Sequence, residues 1–355
     1  MKIATLDLLC CPVARSRLAA VCFDSGRRIE AGQAVPDAQP IETGVLLSDE
    51  GRAYPIVGGI PRLLPEGLDG FPSFAQQHSD RLENLVGKVT PRTRAKNGSA
   101  SGTDDVVAQF ERQWKWWGEE EKIYGRTHEE WEAAMRTGYI SPSVREDFFP
   151  GKRVLDAGCG HGCFTRGFAK MGAEVVALER GSGVEVARQR CAGLRNVEFV
   201  QGDILHLPLS GAHFDLVYCN GVLPFLPEPE KGFEALASTL KKEGMLRIWV
   251  YPKGGKLWET SQNMLRGVLS RLPPRLLYYL CFVPVPLLSF VKTYSGTSLK
   301  TSSWRQCAQV VWDYYSCRIQ WHHAPEEIDA WYRDAGLAEV QQLATAVSVI
   351  GRRLT

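Results

Sequence analysis

Hydrophobic and polar positions between residues 150 and 355 follow two alternating rhythms. Short apolar runs that suit buried strands cover Arg153 to Ala157, Glu174 to Glu179, Val197 to Asp203, Phe214 to Gly221 and Met245 to Tyr251. Between them, apolar residues recur at helical spacing. Phe164, Phe168 and Met171 share one face ahead of Gly172, and Phe233, Leu236, Ala237 and Leu240 follow Glu228-Pro229. Ile328, Trp331, Tyr332 and Ala335 follow Ala324-Pro325-Glu326-Glu327, with Gly336 as the cap. Ser182 and Glu185 have the spacing of a capping box for the helix after the second strand. Two further strands, near 338–343 and 345–352, close the pattern. Strand and helix in alternation predict an α/β fold. The sheet would be doubly wound and mostly parallel, with helices on both faces and a hairpin at one edge.

The first of these strands runs into Asp156-Ala157-Gly158-Cys159-Gly160-His161-Gly162. Glycine suits a steep turn and a close approach of backbone to a ligand. The N–H groups opening the next helix favour a carboxylate or phosphate above that turn. A dinucleotide fingerprint would need a third glycine where Cys163 stands. The observed D-x-G-x-G-x-G order instead resembles motif I of the class I S-adenosylmethionine-dependent methyltransferases. Glu179 ends the second strand, Asp203 the third with Ile204 beside it, and the fourth strand resembles the family's motif IV up to Asn220. The resemblance implies a Rossmann-like, seven-stranded methyltransferase sheet that binds S-adenosylmethionine. It assigns the cofactor to Asp156, Gly158, Gly160, Gly162, Glu179, Asp203, Ile204 and Asn220. Glu179 would take the ribose hydroxyls and Asp203 the adenine amino group.

The rest of the chain divides by composition. Residues 1–65 resemble the small zinc-ribbon-like family that includes the activator subunit of tRNA and protein methyltransferases. Leu8-Leu9-Cys10-Cys11-Pro12-Val13 matches its opening and Tyr54 to Pro61 its closing strand. Ala14, Ser48 and Gly51 stand where metal-binding members carry cysteine, so a β-rich module without metal is expected. Residues 66–105 read as a linker, the stretch from Lys88 to Asp105 being almost wholly small and polar. Residues 106–149 read as helices packing on the catalytic domain, with Val107, Phe110, Trp114 and Trp117 on one face and Trp116 beside them. That aromatic face suits packing against the sheet or a lid over the cofactor. Residues 252–324 form an insertion too long for a simple connection and read as a helical cap. Within it, Leu276 to Val291 is nearly all apolar but broken by Pro284 and Pro286, too short to span a bilayer. A surface for a lipid or membrane-linked acceptor is the other reading, with peripheral membrane contact.

The 355-residue chain carries a net charge of +2, which gives no special attraction to nucleic acid. Its ten cysteines are scattered and several lie in apolar runs, as in a reduced, cytoplasmic protein. No stretch is long and apolar enough for a membrane span. Methyl transfer from a sulfonium needs positioning first, and an oxygen or nitrogen acceptor also needs a base. His322 and His323, just before the last helix, are the candidate catalytic residues; His161 in the glycine turn is a further histidine, and Tyr251 and Tyr315 suit an acceptor hydroxyl. His206 and His213 read as surface residues. The expected function is methyl transfer to a small-molecule, glycan or lipid-linked acceptor. A catalytically inactive scaffold and non-methylation chemistry on the same cofactor are the alternatives. The residues name neither the acceptor nor the oligomeric state.

Overall fold

The computed structural model describes residues 1–33, 35, 39–86, 102–117, 122–123, 126–137, 139–285, 293–294, 297–298, 303–343 and 347–354. Most of the segment from Lys88 to Asp105, the side chain of Trp117 and the stretch from Pro286 to Val291 fall outside the described residues.

The N-terminal strands are β1 (Leu18–Cys22), β2 (Arg28–Glu30), β3 (Gly44–Ser48), β4 (Ala53–Val57) and β5 (Ile60–Leu63). Helices α1 (Pro72–Gln77) and α2 (Ser79–Val86) follow, then α3 (Gly102–Trp117) and α4 (His128–Arg136). The parallel strands are β6 (Arg153–Ala157), β7 (Glu174–Glu179), β8 (Val197–Gly202), β9 (Phe214–Asn220) and β10 (Leu240–Trp249). Between them lie α5 (Cys163–Lys170), α6 (Gly183–Arg190) and α7 (Pro229–Ala237). After β10 come α8 (Lys256–Leu269), α9 (Pro274–Leu280), α10 (Trp304–Tyr315) and α11 (Pro325–Asp334). Strands β11 (Leu337–Gln342) and β12 (Ser348–Arg353) close the chain as an antiparallel pair.

Period-two alternation builds the layers. Along β7, Val175 and Ala177 enter one core while Val176 and Leu178 enter the other. Along β9, Leu216 and Tyr218 join the first, Val217 and Cys219 the second. Phe168 of α5 and Ala187 of α6 pack on one face, Phe233 of α7 and Tyr332 of α11 on the other. Helices therefore cover both faces of a mostly parallel sheet, as the pattern predicts.

Several expectations are corrected. The sheet is a single one of twelve strands, ordered β11-β12-β10-β9-β6-β7-β8-β5-β4-β3-β1-β2; seven of them lie within residues 153–353. The N-terminal strands do not form a separate sheet, because β5 pairs in parallel with β8 (Gln201 with Arg62, Gly202 with Leu63). Leu6, Leu18, Ile56 and Leu63 share one hydrophobic core with Val200, Phe214 and Val217. The run from Tyr54 to Pro61 is a hairpin rather than one strand. Gly58 and Gly59 both take positive φ (55° and 74°), which a two-residue turn requires. The stretch expected to be a linker begins with helices α1 and α2, whose Phe74, Ala75 and Leu82 bury against Phe23 and Val45, and it ends inside α3. Ser182 makes no side-chain cap: its backbone is right-handed helical (φ −66°, ψ −5°) rather than extended, and the Glu185 side chain that would complete a capping box is paired with the buried Arg62. The described residues of the insertion form α8, α9 and α10, with a short antiparallel pair of Thr293–Tyr294 and Thr297–Ser298.

Candidate functional site

The site forms where β6 and β7 end. Gly158, Gly160 and Gly162 have φ of +77°, +52° and +81°, a region that L side chains avoid. Each glycine also faces a different neighbour. A Cβ on Gly158 would stand 2.3 Å from Cγ2 of Val222, and one on Gly160 would stand 3.0 Å from the Trp114 ring. A Cβ on Gly162 would meet Cα of Ala187 at 2.7 Å, so this third glycine serves the packing of α5 on α6. The N–H groups of Gly158 and Cys159 donate to the carbonyl of Leu178 at 2.8 and 3.0 Å, tying the turn to β7.

Glu179 ends β7 with its carboxylate toward that turn. Oε2 accepts from Gly160 N at 3.0 Å and Oε1 from Gly181 N at 2.9 Å. Burial raises its carboxyl pKa above the ordinary value, against the pull of those backbone N–H groups. Asp156 is more deeply placed: its Oδ2 accepts the Thr165 hydroxyl of α5 at 2.5 Å. Burial pushes its pKa up to about 7. Asp156 thus braces strand to helix beneath the turn. Asp203 lies just beyond β8, nearly buried. Its Oδ1 accepts from Leu205 N at 3.0 Å, while Oδ2 is 3.2 Å from Arg180 Nη1 and 3.6 Å from His206 Nδ1. Ile204 is buried beside it. Asn220 ends β9, where its Oδ1 accepts from the buried Arg247 of β10. The Arg247 guanidinium lies over the Tyr218 ring, 4.9 Å from its centroid.

Helix α3 crosses the mouth of the site. The Trp114 ring stands edge-on to His161 with centroids 4.6 Å apart, Glu111 accepts from Ser182 N at 2.8 Å, and Phe110 meets Phe225 edge-on at 5.0 Å. A cleft of about 460 Å³ runs between α3 and α6, lined in part by Glu111, Trp114, Ser182 and Val186. Burial drives the His161 pKa well below the ordinary histidine value, so its ring is neutral.

Beyond Asn220 lies a second half of the site, with Val106, Phe110, Phe225, Trp249, Tyr251, Tyr314 and Cys317 clustered together. His322 sits at this cluster: its Nε2 is 3.2 Å from the Tyr314 hydroxyl, and its ring is 5.9 Å from Tyr251. Burial lowers the His322 pKa, with a further push from Arg266. His323 turns the other way. Its Nδ1 lies 3.1 Å from Glu327 Oε1 and its ring packs against Trp331 of α11, 4.9 Å between centroids. Neighbouring residues on an extended segment point to opposite sides, which separates the two histidines. The structure therefore brings Gly158, Gly160 and Glu179 together, and places His322, but not His323, at the aromatic cluster. Tyr315 turns to Gln262 of α8, to which its hydroxyl donates. The roles of Glu111, Val222, Arg180, Arg247 and Tyr314 have no signal in local spacing.

Among the described residues, no group of three or more His, Cys, Asp and Glu is placed to hold a metal ion. Cys11 Sγ is 3.1 Å from the Tyr54 hydroxyl and accepts from Ala14 N at 3.4 Å. Burial raises the thiol pKa, but these hydrogen bonds outweigh it and leave it below the ordinary cysteine value.

The comparisons with known proteins bear on this stretch. A family model described as "Methyltransferase domain" matches residues 155–248. The chain is 31% identical over 162 residues to a ubiquinone biosynthesis O-methyltransferase from Salmonella paratyphi A, covering 44% of this chain and 66% of that one. It is 28% identical over 206 residues to a demethylmenaquinone methyltransferase from Clavibacter sepedonicus, covering 56% and 71%. A solved structure of magnesium protoporphyrin IX methyltransferase from Synechocystis, with bound SAH, aligns at a TM-score of 0.43 with 19% identity, covering 70% and 96%. The chain spans 26%, 66% and 58% of the lengths of the first three curated relatives it matches. None of the described helices is long and apolar enough to cross a membrane. The glycine turn, Glu179, Asp203 and Asn220 all lie within residues 155–248, the stretch that resembles a methyltransferase domain.

Proposed function

We propose that the protein transfers a methyl group from S-adenosylmethionine to a small-molecule, glycan or lipid-linked acceptor. The observation that carries this reading is the Glu179 carboxylate at the glycine turn, where it accepts from Gly160 N and where Gly158 and Gly160 let Val222 and Trp114 approach the backbone closely. A carboxylate so placed suits a ribose diol, and the turn suits the amino acid end of the cofactor. Asp203 and Ile204, one strand further on, would take the adenine edge and face. Gly162 and Asp156 would shape the turn from beneath, and Asn220 would border the methionine side.

The cofactor supplies an electrophilic methyl carbon held on sulfur. The chain supplies the rest. Phe110, Phe225, Trp249 and Tyr251 pack into one apolar cluster, against which an acceptor would be held. His322, kept neutral by its lowered pKa, would receive the acceptor's proton at Nδ1, while the hydrogen bond between its Nε2 and the Tyr314 hydroxyl orients the ring. His323 is a positioning residue in this reading, fixing the segment through Glu327 and through its N–H to the Tyr251 carbonyl at 2.9 Å.

We read residues 1–65 as an activator-type module built into the catalytic sheet. Its pairing through β5 and its Arg62, which reaches Gln201 and Glu185, support that reading. Residues 150–355 would be the catalytic domain and 252–324 its cap.

Titration calorimetry with S-adenosylhomocysteine tests the proposal. Saturable one-to-one binding that weakens in Glu179→Ala supports it, and absence of binding heat at any concentration refutes it. Binding without methyl incorporation into any acceptor extract would favour the scaffold reading.

A further inference from the structure

Helix α8 is inside out. Its buried positions are Gln262 and Arg266, the polar ones, while its large apolar residues other than Leu269 face solvent. Leu257 is 89% exposed, Met264 70% and Val268 66%. Gln262 and Arg266 are turned inward by specific partners. Tyr315 donates its hydroxyl to Gln262, and Arg266 donates to the Tyr314 carbonyl at 3.2 Å and lies over the Tyr314 ring. The apolar outer face is thus the counterpart of a polar inner one that these partners hold against the Tyr314–Tyr315 pair. Helix α9 and the turn after it continue the patch, with Tyr279 70% and Val283 72% exposed.

Positive charge dominates along this segment. Lys253, Lys256, Arg271 and Arg275 are all exposed, and Glu259 is the single acid between residues 252 and 283. Glu259 is itself engaged, accepting from Gly254 N at 2.7 Å. Exposed apolar residues flanked by unopposed cations, with Trp258 and Tyr279 among them, match the chemistry of an anionic lipid interface. A second copy of this chain fits the face poorly, since an isologous contact would set cations against cations.

We propose that the outer face of α8 and α9 docks on the surface of an anionic phospholipid bilayer, lying in the interface and not crossing it. The inference goes beyond methyl transfer and does not need it. It gives the inner side of α8 a functional neighbour, because Arg266 and Gln262 contact the Tyr314–Tyr315 pair that borders the aromatic cluster.

The experiment is vesicle flotation of the full chain with phosphatidylcholine alone and with phosphatidylcholine plus phosphatidylglycerol. The protein is expected to float only with the anionic vesicles and to be released as ionic strength approaches 1 M, where the Debye length is about 3 Å. Lys256→Glu with Arg275→Glu should lower partitioning about tenfold or more. Leu257→Ser with Val268→Ser should do the same; both side chains are exposed, so circular dichroism should be unchanged. Brominated lipid should quench tryptophan emission in the parent chain, and less so in Trp258→Phe. Flotation that ignores both pairs of substitutions overturns the proposal. So does a lack of flotation, including the case in which the Leu257/Val268 pair instead dissolves a dimer seen by sedimentation.

Discussion

Replacing Glu179 separates a cofactor ligand from a loop brace. Its two oxygens accept from Gly160 N at 3.0 Å and Gly181 N at 2.9 Å, so the side chain already holds the turn before any ligand arrives. A ribose diol would add two charge-assisted hydrogen bonds, each worth ~1.5–3 kcal/mol, of which water recovers part in the truncated protein. Glu179→Ala should therefore cost about 2–4 kcal/mol of affinity for S-adenosylhomocysteine, or roughly 30- to 1000-fold in Kd. It also orphans two backbone N–H groups, at about 1–3 kcal/mol each where water cannot reach them, so Tm should fall. Glu179→Gln keeps the volume and one acceptor oxygen but sets its NH₂ against one of the two N–H donors. Its loss of affinity should lie between the parent and Glu179→Ala. Acid gives a second test. Only the ionised carboxylate accepts from both the loop and the diol, and burial raises its pKa above the ordinary glutamate value. Affinity should thus begin to fall at a higher pH than an ordinary glutamate would give, and that fall should be missing in Glu179→Gln. Calorimetry across pH, with scanning fluorimetry alongside, reads both effects. A lower Tm in both variants with Kd within threefold of the parent would show that Glu179 only braces the loop.

Gly162→Ala should destabilise by about 2–5 kcal/mol, combining left-handed backbone strain with a Cβ driven against Ala187 at 2.7 Å, and thermal unfolding reads it directly. His322→Ala should lower turnover about 10²- to 10⁴-fold once an acceptor is in hand, leaving S-adenosylhomocysteine affinity unchanged. Because the folded pKa of His322 is lowered, its contribution to stability is present above the ordinary value near 6.5 and is lost as pH falls below it. The acid limb of the rate profile should lie below that value too; a limb above it would remove His322 from the role of base. The full chain should keep its Tm in the presence of a chelator, since Cys11 is hydrogen-bonded to Tyr54 and Ala14. Stoichiometric zinc by elemental analysis, with unfolding on chelation, would refute that assignment.

The parallel strands are legible because they are buried on both faces, and continuous apolar runs such as Val175 to Leu178 are what such burial demands. The positions of the glycine turn, Glu179 and Asp203 are legible for a related reason: each lies at or just after the end of a strand, so local sequence carries the placement. Where long-range contacts decide, sequence reading fails. Glu185 has the spacing of a capping partner, yet its side chain pairs with Arg62, 123 residues earlier, and Ser182 makes no side-chain cap. Residues 1–65 read as a separate unit because no periodicity records that β5 will lie beside β8. The Gly58-Gly59 pair was a readable hairpin signal within the run from Tyr54 to Pro61. Strand alternation likewise already argued that His322 and His323 could not both face one site.

Helix α3 joins the two halves of the site. Its Trp114 borders Gly160 and its Glu111 holds the loop after Glu179 on the cofactor side. Its Val106 and Phe110 belong to the aromatic cluster on the acceptor side, and its Trp116 packs edge-on against Trp312 of α10 in the cap, 4.9 Å between centroids. A ligand laid on the turn must share space with Trp114, and an acceptor must share it with Phe110. In the proposed reading both ligands would meet the same helix, so a substitution that displaces α3 is expected to change binding at both ends. Because α10 also carries Tyr314, partner of His322, the chain from Trp114 through Trp116 and Trp312 ends at the candidate base. Packing of α3 against both clusters is thus the contact that would link the two sides of the proposed site.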